Sequence, residues 1–370
     1  MEHSRRQGGG TSLVIDTDGG VDDAIALMLA LFHVQKRTDV QIAGVTTVGG
    51  NVSAAQAAHN VDKILTRFGQ GVVCPVYVGC SEPMVARSFP PGWPGHGNDG
   101  LGGDECVGPA AATASSTAAT PRDDGIASSH AVEALLRMVR DADGIIDIVA
   151  LGPLTNIAMA IKLDPGWAAR LGRLVVMGGA ADGRGNTTEI AEFNVAADPE
   201  AASVVFRAFS ENNRRLAPRL TMVPWETCLK HGLSWEYFDM LTAAKQPGGE
   251  PSAQSRFLKQ ICAAYEKCER SAGSDSVEGA FVPCDAYAVA AYLWPSLVAK
   301  CEVLHCDVEL GGSHCRGTTC FDWYRRHGGK HTNNVQLVLE IQQEVFEQAL
   351  REMFHSTTTT QAPGRKVSTD

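Results

Sequence analysis

Apolar residues along the chain fall into two alternating kinds of run. Short blocks rich in Val, Ile and Leu at 13–15, 42–48, 145–150 and 174–177 predict strands. Each is followed by a turn bearing Gly, Asp or Asn, and then by a segment whose apolar positions have helical spacing, at 22–32, 54–68, 154–162 and 199–208. Strands alternating with helices in this way predict an α/β fold, an open, mostly parallel, Rossmann-like sheet flanked by helices in a single domain. In open sheets of this kind ligands bind in the crevice beyond the carboxyl ends of the strands. The polar residues that follow each strand are therefore where chemistry is expected.

The domain is expected to cover residues 12–355. Residues 1–11 are polar and Gly-rich and read as disordered, as does the tail at 356–370. The stretch 107–125, dominated by Ala, Thr and Ser without an apolar period, reads as a flexible insertion. With 44% hydrophobic and 20% charged residues in 370, the composition is that of a packed enzyme-sized domain. A net charge of -10 disfavours a nucleic-acid partner, whose affinity draws on clustered Lys and Arg. No run approaches the ~18 apolar residues of a membrane span and the N-terminus has no leader-like apolar core, so no membrane partner and a cytoplasmic location are expected. In that compartment the 11 cysteines are expected to be reduced thiols. Cys301, Cys306, Cys315 and Cys320, with His305 and His314 nearby, have looser spacing than structural zinc prefers and read as buried or incidental thiols.

The first predicted strand runs directly into Asp16-Thr17-Asp18-Gly19-Gly20-Val21-Asp22-Asp23-Ala24. Four carboxylates crowd the mouth of one strand there. Like charges so close raise one another's pKa, and several stay ionised together mainly when a cation neutralises them. An all-oxygen ligand set favours a hard ion, calcium or magnesium, over zinc. Gly19 and Gly20 permit a tight turn, and Asp22 and Asp23 open a helix whose dipole tolerates acids. Because consecutive helical residues point about 100° apart, one of the pair can grip an ion while the other faces a neighbouring ligand.

These residues resemble the inosine-uridine-preferring nucleoside hydrolase family, whose signature has the form D-x-D-x-G-x-D-D-A. Thr46 to Val52, Gly152 to Ala158, Met177-Gly178-Gly179 and the stretch from Asn186 through Asn194 to Ala202 extend the likeness in order and spacing over residues 12–355. The resemblance implies hydrolysis of the N-glycosidic bond of ribonucleosides to base and ribose, as in purine salvage, with inosine and guanosine favoured. It implies Ca2+ held by the side chains of Asp18, Asp23 and Asp285 and by the backbone carbonyl of Leu151, where the family usually has Thr. Asp22, Asn51, Glu192 and Asn194 would hold the ribose hydroxyls, with Asn186 and Met177 near the 5′ end. A calcium-bound water, giving its proton to Asp18, would attack C1′ through an oxocarbenium-like transition state. A homodimer or homotetramer is also implied.

The leaving base needs a proton, and here the chain departs from better-known members. Many carry His or Trp before the last metal-binding Asp; this chain has Cys284, like a less common cysteine-containing, purine-preferring subgroup. A thiol with pKa near ~8.5 is a weak proton donor. Cys284 is thus a candidate leaving-group acid or a pocket-wall residue. His96, in a Gly-rich loop like the family's mobile covering loop, is a second catalytic candidate, and Trp93 in the same loop could stack on a purine. Asp198 before Pro199 reads as a helix N-cap. Asp16-x-Asp18 after a first strand also resembles haloacid-dehalogenase-like phosphatases, although the later Lys and acidic pair of that superfamily are not evident. A nucleoside or ribose binder without turnover is the non-enzymatic alternative.

Overall fold

The computed structural model describes residues 11–103, 125–142, 145–211, 219–246, 248–272, 279–325 and 332–355. Residues 1–10, nearly all of the expected insertion at 107–125 and the tail at 356–370 lie outside them. Eleven strands are β1 (Thr11–Thr17), β2 (Val40–Thr47), β3 (Val76–Val78), β4 (Ile126–Ala127), β5 (Ile146–Ala150), β6 (Leu174–Met177), β7 (Leu220–Val223), β8 (Val298–Leu304), β9 (Cys306–Val308), β10 (Thr319–Phe321) and β11 (Val335–Ile341). The helices are α1 (Val21–Lys36), α2 (Ala54–Phe68), α3 (Ala131–Asp141), α4 (Thr155–Leu163), α5 (Trp167–Arg170), α6 (Phe193–Ala197), α7 (Pro199–Glu211), α8 (Trp225–Lys230), α9 (Trp235–Thr242), α10 (Ala253–Ile261), α11 (Ala263–Ala272), α12 (Cys284–Leu293) and α13 (Gln343–Phe354).

Nine strands form one sheet in the order β4-β3-β2-β1-β5-β6-β7-β11-β8, parallel throughout except where β8 runs antiparallel to β11. The mostly parallel α/β architecture expected from the alternation is therefore the observed one. β9 and β10 pair as a separate antiparallel hairpin. The central strands read as unbroken apolar runs because helices cover both faces, and Leu13, Val14, Ile15, Ile148 and Val149 are all fully buried. One core layer joins α1 to α12 and α13, the other packs α3, α4, α5 and α7 against the opposite face. Helix α1 is apolar on nearly every side, as a helix wedged between sheet and outer helices must be. Its neighbour α12 is equally buried, and its alanines let the two axes approach closely.

The chain builds outward from β1 through β2, β3 and β4, then returns to lay β5 on the other side of β1. That reversal is the topological switch point where open α/β sheets bind ligands. The carboxyl ends of β1 and β5 flank it, with Asp16 and Ala150 paired in register. Among the described residues no helix is long and apolar enough to cross a membrane.

Candidate active site

Strand β1 carries Asp16 and Thr17 into the crevice, and the chain turns at Asp18-Gly19-Gly20 before α1 starts. Gly19 has φ +77°, and a Cβ there would lie 2.6 Å from the Ala57 Cα, so the turn packs on α2 only as glycine. Asp18 is fully buried between two more glycines. A Cβ on Gly50 would lie 2.1 Å from Asp18 Oδ2, and one on Gly152 would lie 2.9 Å from its Cβ. Asn51 fixes the carboxylate, its backbone N–H donating to Oδ2 at 2.8 Å and its Nδ2 to Oδ1 at 3.1 Å. Asp23 accepts from the Gly20 N–H at 2.8 Å and from the Thr17 hydroxyl, which holds the turn onto the first turn of α1. Asp285 enters from far along the chain because it opens α12, which packs beside α1.

One oxygen from each of Asp22, Asp23 and Asp285 lies within 4.8 Å of the others. Two unit charges that far apart repel by about 3.5 kcal/mol at an effective dielectric of ~20. Loss of water adds to this. Burial, then the charge of Asp23, pushes Asp22 up to about 7. Asp18 and Asp285 are raised well above the carboxylate range, first by burial and then by neighbouring aspartates, and burial also pushes Asp16 up to about 7. The Oδ1 of Asp22 is buried with no hydrogen-bond partner. An oxygen-only donor set with an orphaned, buried carboxylate oxygen fits a hard divalent cation, which would remove both penalties at once.

A second group of expected site residues stands at the ends of β5 and β6. Asn194 donates through Nδ2 to the carbonyls of Leu151 at 2.8 Å and Met177 at 3.1 Å, tying the two strand ends together. Glu192 caps α6, accepting from the N–H groups of Asn194 at 2.8 Å, Gly179 at 2.7 Å and Val195 at 3.2 Å. Burial pushes it up to about 7 in spite of those donors. Leu151 joins this group to the aspartates, since its N–H donates to the Asp16 carbonyl at 2.8 Å. Asn186 stands apart, exposed, with its Oδ1 accepting from the Phe193 N–H at 2.8 Å to hold the loop ahead of α6. Asp198 is an N-cap, accepting from the Ala201 N–H at 3.1 Å, and it also takes the Met84 N–H at 2.9 Å and the Thr155 hydroxyl at 2.7 Å.

The loop around His96 forms the outer wall. His96 Nδ1 accepts from the Val21 N–H at 3.1 Å and lies 3.9 Å from Asp22 Oδ1. An accepting Nδ1 leaves the proton on Nε2, and burial pulls the imidazole down to about 4, so it is neutral at pH 7. Trp93 stacks edge-on against His96, centroids 5.4 Å apart, and against Tyr265 at 4.8 Å. Cys284 is buried at the start of α12, its thiol 3.6 Å from the Val282 carbonyl. Among the described residues Cys301, Cys306, Cys315 and Cys320 do not gather with a third ligand into a metal-sized group.

Several residues the sequence reading passed over help to build this site. Tyr265 accepts the Val282 N–H at 3.0 Å, and so braces the turn that delivers Cys284 and Asp285. Glu226 accepts the N–H groups of Ala181 at 2.6 Å and Asp182 at 2.8 Å, pinning the loop after β6. Asn156, within the Gly152 to Ala158 stretch, donates to Asp16 at 2.8 Å and to the Thr47 carbonyl at 2.9 Å while accepting the Cys80 N–H at 2.9 Å. Asn60 carried the clearest signal, being an amide on the face of α2 that Ala57, Val61 and Ile64 bury.

Similarity to known proteins extends over most of the chain. The sequence model of the inosine-uridine preferring nucleoside hydrolases matches residues 13–348. Probable uridine nucleosidase 2 of Oryza sativa subsp. japonica is 37% identical over 194 residues, so the match spans about half of each protein, 52% in both cases. The non-specific ribonucleoside hydrolase RihC of Salmonella paratyphi B is 30% identical over 344 residues, 92% of this chain and 97% of RihC. The solved structure of an inosine-guanosine nucleoside hydrolase superposes with a TM-score of 0.75 at 29% identity, covering 93% of this chain and 98% of that one. A match of this length, where the phosphatase alternative had only the Asp16 and Asp18 pair, decides between them: the chain belongs to the inosine-uridine preferring nucleoside hydrolase family.

Proposed function

We propose that this chain hydrolyses the N-glycosidic bond of ribonucleosides to free base and ribose, with Ca2+ as cofactor and inosine and guanosine as favoured substrates. The observation that carries the reading is the convergence of Asp22, Asp23 and Asp285 oxygens at the switch point, with a buried Asp22 oxygen lacking any partner. Asp18, Asp23, Asp285 and the Leu151 carbonyl are the groups that would hold the ion, and Asp22, Asn51, Glu192 and Asn194 those that would orient the ribose hydroxyls. Asn186 and Met177 would lie toward the 5′ end. When bound, Ca2+ acidifies a coordinated water and offsets the charge of the aspartates.

The chain's own residues do the rest. Asp18, held in one orientation by Asn51 and crowded into place by Gly50 and Gly152, receives the proton of the attacking water. The surrounding carboxylates stabilise positive charge as it grows on the ribose ring. Neutral His96 presents an Nε2–H donor to the 5′-hydroxyl or the base, Trp93 would stack on a purine, and Cys284 is the candidate acid for the leaving base. A purine preference is supported by the 29% identical inosine-guanosine hydrolase, a cytoplasmic salvage role and a homodimer or homotetramer by family likeness alone. Free ribose measured after incubation with inosine, guanosine, adenosine, uridine and cytidine tests the preference. The expected order places inosine and guanosine first; faster release from uridine than from either would overturn it.

A further inference from the structure

Asn60 lies in the middle of α2, is fully buried and does not belong to the carboxylate cluster, yet its side chain spans two parts of the site. Its Nδ2 donates to the carbonyl of Gly19 at 2.9 Å and to the carbonyl of Asp99 at 2.7 Å, while its Oδ1 accepts from Gln56 at 3.0 Å. Gly19 is in the aspartate turn, and Asp99 is in the loop that carries His96. Both hydrogens of one amide are thus spent on two separate segments, and no other residue type of that size offers two donors on one atom beside an acceptor.

The loop meets the turn at two further points. The Val21 N–H, at the head of α1, donates to His96 Nδ1 at 3.1 Å. Gly100, at φ +80°, lies so close that a Cβ would stand 2.5 Å from the Gly19 carbonyl oxygen and 2.9 Å from Asn60 Nδ2. Within itself the loop is knitted together, since Asp99 Oδ1 accepts from the N–H groups of Leu101 at 2.8 Å and Gly103 at 2.9 Å, and the Gly102 N–H donates to the His96 carbonyl at 2.8 Å. Among these contacts Asn60 is the only buried side chain that bonds to the backbone of both the loop and the turn.

We infer that Asn60 is a positioning residue that couples cation binding in the aspartate turn to seating of the His96 loop. The inference rests on the cation site proposed above. An ion that orders Asp18 to Asp23 fixes the Gly19 carbonyl, which fixes the amide of Asn60, which offers its second hydrogen to Asp99; linkage makes the effect reciprocal, so a seated loop tightens the ion. This places the wall that faces the substrate under control of the metal.

The test compares the chelator-stripped protein with and without Ca2+, using backbone hydrogen exchange over 95–103 and calorimetric Ca2+ affinity. In the wild-type chain Ca2+ is expected to slow exchange in that loop. In Asn60→Ala the loop is expected to exchange fast with or without the ion, and Ca2+ to bind roughly tenfold more weakly, within the usual range of coupling between two sites. Gly100→Ala perturbs the same contact from the loop side while leaving the sequence of α2 unchanged, and is expected to show the same two changes even if Asn60→Ala does not fold. Wild-type loop protection and affinity in the variants, or wild-type binding of Ca2+ with no change over 95–103, would overturn the coupling. Absence of any Ca2+ binding to the wild-type chain would instead overturn the cation site, and the coupling with it.

Discussion

The buried aspartates make a quantitative prediction about pH. Take the protein stripped of divalent ions and raise the pH from 5 to 7. Asp22 has an ordinary value of 3.8 in the unfolded chain and is pushed up to about 7 in the folded one. A raised carboxyl contributes stability that is complete below the unfolded value and is lost as pH climbs through the folded value. Over this window the folded state holds a proton that the unfolded state has released. The loss is therefore up to ~1.4 kcal/mol per pH unit for each such group, easing as pH nears the folded value, or about 2 kcal/mol from Asp22 alone. Asp16 and Glu192, also pushed up to about 7, slope the same way. His96, pulled down to about 4, slopes oppositely, because its folded state resists a proton that the unfolded state accepts.

A cation held by Asp18, Asp23 and Asp285, with Asp22 close beside them, favours the charged form of Asp22 and so removes its slope, whereas groups away from the ion titrate alike in both forms. The Tm of the Ca2+-loaded protein minus that of the chelated protein should then widen with pH. For a domain matched over residues 13–348, unfolding entropy near ~0.7 kcal/mol/K converts about 2 kcal/mol into about 3 °C between pH 5 and pH 7. Differential scanning fluorimetry at fixed ionic strength measures it. A Tm difference that is flat or shrinks over that range would refute the assignment of these shifts to a cation-shaped cluster.

Other expectations follow from single contacts. Asp18→Ala should lower kcat by about a thousandfold or more with Tm nearly kept, measured by ribose release and a melt, since it removes the proposed proton acceptor and little packing. Gly50→Ala should do nearly as much harm to kcat, because its Cβ would stand 2.1 Å from Asp18 Oδ2; near-wild-type turnover would show that the carboxylate position does not matter. Glu192→Ala should unfold at lower temperature by the equivalent of about 1–3 kcal/mol, as three backbone N–H groups lose their acceptor. Cys284→Ser should displace the basic limb of the pH profile of kcat, since Cys284 is the candidate acid for the leaving base; an unchanged profile would show that the thiol carries no proton.

Much of this site could be read from residues alone, and the parts that could not share a physical cause. Strands β1, β2, β5 and β6 were legible because parallel strands covered on both faces write themselves as apolar blocks. Strand β1 in fact begins at Thr11, a residue ahead of the expected domain start, and β2 runs over Val40–Thr47 rather than 42–48. The short strands β3 and β4 at one end of the sheet and the late β7, β8 and β11 carry weaker blocks, and the antiparallel pairing of β8 with β11 has no local signature. The Asp16 to Asp23 cluster announced itself because four acids in eight residues are electrostatically costly. Asp285 needed the family resemblance, since a single Asp at a helix start is ordinary and only the packing of α12 along α1 brings it to the others. Asn60, Asn156, Glu226 and Tyr265 act through backbone groups far away in sequence, and no spacing rule encodes such a partner.

Hydrolysis is expected to depend on a cation held among the aspartates. The direct measurement is the rate of ribose release from inosine by protein stripped with excess chelator, followed by stepwise return of Ca2+. The expected result is negligible release in chelator and recovery along a one-site saturation curve. Full release in the presence of excess chelator would contradict it.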